Sequence, residues 1–132
     1  MAVVWPRVMQ ETAPEARLAV GIRMWLQRAH VDPVLCAFIA RNRVRTPFVE
    51  SELARDVGDG IRSGTLRVAS VEAGRDLIVG CMRESLSRIM SERVAPSYAD
   101  DVARAILRGL GVDARRIERL LSLPLTAPSS PA

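Results

Sequence analysis

The sequence predicts an all-α fold, a bundle of about six helices, and three observations carry that expectation. No segment alternates apolar and polar residues for long, so strand signals are nearly absent. Helix starts and stops are well punctuated along the chain. Apolar residues recur at helical spacing between those marks, as in Val49, Leu53, Val57 and Ile61.

In order, Thr12-Ala13-Pro14-Glu15 reads as a capping box with proline in the first turn, opening a helix over 14–30. Leu18, Ile22, Trp25, Leu26 and Ala29 form one face of it. Asp32-Pro33 and Thr46-Pro47 each place a capping oxygen before a proline, starting helices over 33–43 and 47–62. Ser70, Ser97 and Asp113 cap helices over 71–94, 98–110 and 114–122, and Gly64 and Gly111 serve as stops. Residues 1–13 read as an N-terminal stub, 14–123 as one domain, and the Pro-, Ser- and Ala-rich stretch 124–132 as a disordered tail.

Composition narrows the function classes. The 132 residues are 48% hydrophobic and 26% charged, which suits one cytoplasmic domain. No apolar run approaches the roughly 18 residues a membrane span needs. All 19 basic residues are arginine and they are dispersed; the net charge of +4 forms no block. Trp5, Trp25, Phe38, Phe48 and Tyr98 are too few for a base-stacking surface. Cys36 and Cys81 match no zinc or redox spacing and read as small buried hydrophobes. His30 alone forms no zinc motif or nucleophile pair, and Gly58-Asp59-Gly60 lacks the strand and spacing of a phosphate cradle. Arg41, Arg43 and Arg45 close a helix, where cations complement the dipole. Neither an enzyme nor a cofactor is expected.

Two helices carry apolar arcs about twice the usual width. Over 71–94 these residues are Leu77, Ile78, Val79, Cys81, Met82, Leu86, Ile89 and Met90. Over 98–110 they are Val102, Ala103, Ala105, Ile106, Leu107 and Leu110, with Asp100 and Arg104 four apart and able to pair. One neighbour cannot cover such arcs, so a homodimer through a four-helix interface is expected, using Leu86, Ile89, Met90, Val102, Ile106 and Leu110. Arg75 falls inside the apolar arc near Ile78 and Met82. It either pairs with an acid such as Glu72 or Asp76, or snorkels to water, or meets a ligand carboxylate or phosphate.

The stretch Leu53, Val57, Gly60, Ile61, Gly64-Thr65-Leu66-Arg67, Val71, Ala73, Leu77 and Gly80 resembles the regulatory domain of TetR/AcrR transcriptional regulators. The ending Ala105-Ile106-Leu107-Arg108-Gly109-Leu110-Gly111 and the pair Asp32-Pro33 are similar to that family as well. The resemblance spans about Glu15 to Leu121 and implies an effector-sensing, dimerising repressor domain. The family's three-helix DNA-binding unit of about 50 residues has no counterpart here. Glu52-Leu53-Ala54-Arg55-Asp56-Val57-Gly58 imitates a helix-turn-helix, but its second helix would contain Gly60 and Gly64. DNA binding by this chain alone is not expected. The resemblance further implies a mostly apolar cavity lined by Ile22, Trp25, Leu26, Phe38, Phe48, Ile78 and Met82, with Arg75 as polar handle, for a small hydrophobic molecule. The alternative is a ligand-free helical dimerisation or protein-interaction module.

Overall fold

The computed structural model describes residues 4–32, 34 and 47–125, with side chains from Pro6 onward and, in the second long stretch, from Glu50. Among these residues there are six helices: α1 (Val4–Val8), α2 (Pro14–Val31), α3 (Pro47–Ser63), α4 (Val71–Ser91), α5 (Tyr98–Gly109) and α6 (Ala114–Leu121). No strand occurs among the described residues. Of the helix expected over 33–43 only Val34 is described, while Cys36, Phe38, Arg41, Arg43 and Arg45 lie outside the described residues; of Phe48 only its place in α3 is described.

Helix α2 is the axis of the bundle and touches all five others. Its sequence dictates this. Ala16, Leu18, Ala19, Ile22 and Leu26 are buried in the main core with Val57, Ile78, Ile106, Leu107, Leu110, Ile117 and Leu120. Val20, on the other side of α2, is buried with Val8 of α1 in a second, smaller cluster. A helix that is apolar most of the way round must be covered most of the way round.

The caps divide. Ser70 accepts a hydrogen bond from the Ala73 amide at 3.0 Å, and Asp113 accepts from the Arg115 and Arg116 amides, at 3.1 and 3.3 Å. Each satisfies N-terminal donors that the helix itself leaves unpaired. The predicted box at Thr12 does not form, because the residue in the capping position is Ala13 and no side chain caps α2. Ser97 likewise caps nothing; its hydroxyl bonds the Asp101 carboxylate at 3.1 Å.

The α3–α4 turn explains its glycines. Gly64 adopts φ +79°, a left-handed conformation that turns the chain out of α3. Leu66 then folds back, donates its amide to the Gly60 carbonyl at 3.0 Å, and is buried against the space where a Gly60 side chain would stand. Arg67 next donates its amide to the Leu110 carbonyl at 2.8 Å. Gly111, also at φ +79°, lets the two loops meet, since a Cβ there would lie 2.7 Å from the Arg67 carbonyl oxygen. The α3–α4 and α5–α6 turns are thereby joined.

Candidate functional site

Ile22 and Leu26 of α2 and Ile78 of α4 are buried in the main core, and Met82 packs against it from one turn further along α4. The structure thus brings four of the predicted pocket residues together. Trp25 is not among them. It lies on the other side of α2, half-buried in the small cluster with Val8, Val20, Met24, Leu123 and Leu125. The helical step explains the separation: Trp25 sits about 60° from Ile22, enough to carry a large side chain past the edge of the core face.

Arg75 is partly buried, and its guanidinium reaches across to α3, where Nη2 donates to Glu50 Oε1 at 3.1 Å. Its partner is therefore neither Glu72 nor Asp76, because a residue on a facing helix lies nearer the core side of α4 than its own neighbours do. The Arg75 Nε is buried without a hydrogen-bond partner among the described residues. A cationic donor left in that state favours any acceptor that can reach it.

The dimer residues fall into two groups. Leu86, Ile89, Met90 and Val102 are partly covered. Ile106 and Leu110 have no exposed surface at all and belong to the core of the single chain. The wide arc of α5 has an internal cause, since α2, α4 and α6 all pack against it. Helix α4 differs: of its 21 residues only Gly74, Ile78 and Ser85 are buried. Val79, Met82, Leu86 and Met90 form a half-covered ridge along it, with Arg75 at its N-terminal end.

Sequence reasoning missed five buried charges: Arg7, Glu15, Arg23 and Asp56, and the nearly buried Arg17. Arg17 of α2 pairs with Asp56 of α3 at 2.9 Å and donates to the Thr12 carbonyl at 2.8 Å and the Glu11 carbonyl at 3.3 Å. Burial pushes the Asp56 carboxyl above its ordinary value, outweighing the charge and hydrogen bond of Arg17. Arg23 of α2 pairs with Asp100 of α5 at 3.0 Å. Asp100 is thereby taken from the pairing expected with Arg104, which instead bonds Asp101 at 3.2 Å and Glu118 at 2.8 Å. That hydrogen bond from Arg104 holds the Glu118 carboxyl below its ordinary value. Helical phase was a usable signal for two of the five, since Arg23 lies between Ala19 and Leu26, and Asp56 between Leu53 and Gly60, on apolar faces.

No group of three or more His, Cys, Asp or Glu side chains among the described residues is placed to hold a metal ion. No helix there is long and apolar enough to cross a membrane. Comparison with protein-family models, curated proteins and solved structures found no match to this chain.

Proposed function

We propose that this chain is a regulatory domain of the TetR type, a helical homodimer that senses a small, mostly apolar molecule and so controls DNA binding by a helix-turn-helix unit outside this sequence. The observation that carries the reading is the half-covered ridge Val79, Met82, Leu86 and Met90 on the longest helix. Apolar area left partly in water is what a second copy would cover, and a two-fold axis would bring the ridge against itself. The Gly60–Arg67 turn supports the family element of the proposal, because Gly60, Gly64, Leu66 and Arg67 of the resemblance each have a structural task there. Arg75, at the end of the ridge and beside the Ile78–Met82 core, is the polar handle for an acidic group.

Sedimentation equilibrium at micromolar concentration tests the dimer, with Leu86→Glu as the disrupting variant. A dimer that Leu86→Glu converts to a folded monomer is expected; a folded monomer of the unmutated chain refutes the proposal. Calorimetric titration with decanoate, an apolar chain with a carboxylate, tests the sensing element, and Arg75→Ala should weaken binding by about tenfold or more.

A second reading, the ligand-free dimerisation module, is favoured by the packing itself. Ile22, Leu26 and Ile78 are 4%, 0% and 4% exposed, and Arg75 already has Glu50 as partner. A dimer with no affinity for apolar acids would select it.

A further inference from the structure

Among the described helices α1 packs on α2 alone, and of its side chains that are described Arg7 and Val8 are buried. The segment after α6 also holds it. The Pro124 carbonyl accepts from both Arg7 Nε, at 3.0 Å, and Arg7 Nη2, at 2.6 Å. Arg7 Nη1 completes its bonding with Glu11 at 2.9 Å. One step back along the same segment, Arg23 Nη1 donates to the Leu123 carbonyl at 2.9 Å and the Leu120 carbonyl at 3.4 Å, while its Nε holds Asp100. Two guanidiniums thus satisfy carbonyls at and beyond the end of α6, where cations also complement the helix dipole. Leu123 and Leu125 close the arrangement by packing with Val8, Val20, Met24 and Trp25.

We infer that residues Ser122–Leu125 form a clasp over α1, and that clasp and helix open together as one unit distinct from the core. The electrostatics require the coupling. Arg7 is 4% exposed, and removing Pro124 would strip two of its three hydrogen bonds, leaving a buried cation with a single partner. The bond that remains, to Glu11, is local, so when the clasp leaves α1 loses its polar anchor to the rest of the fold and opens with it. The converse holds as well: without α1, Val20 and Leu125 lose Val8, and the Pro124 carbonyl loses both donors. Arg23 links the clasp to Asp100 at the start of α5, so a shift of α5 or α6 changes the hold on α1. The placement of the chain's N-terminal side is then conditional on its C-terminal segment. This inference stands on geometry independent of the regulator reading.

Hydrogen exchange resolved along the full chain tests it, with Arg7→Met and Leu125→Ser as separate variants. Arg7→Met removes the polar hold from the helix side, and Leu125→Ser removes the apolar hold from the clasp side. In each, the bonded amides of Gln10, Glu11, Ser122 and Leu123 should exchange in parallel roughly tenfold or more faster, since Arg7→Met removes both charge-assisted bonds to Pro124 and Leu125→Ser removes a leucine contact. Amides of α3 and α5 should keep their protection. In a Trp5→Phe background, Trp25 emission should shift to longer wavelength in both variants, because the indole belongs to the same cluster. Acceleration of one segment without the other, of neither, or of the core to the same degree overturns the inference.

Discussion

Replacing Arg17 by methionine isolates a buried carboxylate and makes its behaviour measurable. The substitution keeps an unbranched apolar side chain but removes the donor to Asp56 Oδ1 at 2.9 Å and those to the Thr12 and Glu11 carbonyls. Asp56 is only 4% exposed, so water does not readily replace the lost partner. Removing one member of a buried pair costs about 3–5 kcal/mol, a large part of the 5–15 kcal/mol typical of a whole domain. For a chain of this size that is a fall in Tm of roughly 10–25 °C. Asp56→Asn, by contrast, should cost about 1 kcal/mol, because the amide oxygen still accepts from Arg17 while the desolvated charge disappears. Combined with Arg17→Met, it should restore most of the loss.

The pH dependence has a definite sign. Burial raises the folded-state Asp56 carboxyl above its unfolded value. The folded protein therefore binds the proton more tightly, and stability falls as pH rises through the folded-state value. Without the Arg17 guanidinium, which opposes the shift, the window widens upward. Urea unfolding followed by far-ultraviolet circular dichroism should show Arg17→Met regaining stability as pH falls toward the folded-state Asp56 value, by more than the parent chain does. A loss below about 1 kcal/mol with no such regain would mean that Asp56 is solvated, and the reasoning would fail.

Other outcomes follow from the same geometry. Ile106→Glu should abolish the cooperative thermal transition altogether, since it places a charge in the core of one chain, whereas Leu86→Glu should leave it intact. Gly111→Ala should lower stability by about 2–3 kcal/mol, combining a left-handed backbone with contact against Arg67; Gly64→Ala, with open space around it, should cost about 1 kcal/mol in the same unfolding assay. Ser70→Ala should cost about 1 kcal/mol and Thr12→Ala within about 0.5 kcal/mol, a contrast that thermal melts of the two variants would register.

Which parts of this molecule were legible in the sequence depends on range. Caps and stops whose partners lie within four residues, such as Ser70, Asp113, Gly64 and Gly111, could be read directly. The box at Thr12 misled because the start of a helix is uncertain by a residue, and Thr12 lies one residue too early for its hydroxyl to serve. The width of the α5 arc was visible, but not its cause, because a wide arc is equally satisfied by three neighbours in one chain or by a second chain. The pairings of Arg7, Arg17 and Arg23 were invisible for another reason. They join residues 39 to 117 positions apart, and no local pattern ties a guanidinium to a particular distant carboxylate or carbonyl. For the candidate site, helical phase placed Ile22 with Leu26 on one helix and Ile78 with Met82 on another, and only the resemblance put the two pairs in one group. Trp25 departed from it because a residue at the edge of an arc is claimed by whichever neighbour offers cover, here α1 and the clasp.

The bond from the Arg67 amide to the Leu110 carbonyl has a consequence for how the chain tolerates inserted sequence. A guest peptide placed in either of the turns it joins would separate Arg67 from Gly111 and unseat Leu66, so both turns are closed to lengthening. The link between α4 and α5 carries no such bond to another turn. Glu92, Arg93, Ala95, Pro96 and Ser97 are exposed there, and their hydrogen bonds run only to their own neighbours. An affinity tag or a fluorescent label grafted between Arg93 and Pro96 would extend into solvent without disturbing the helices on either side.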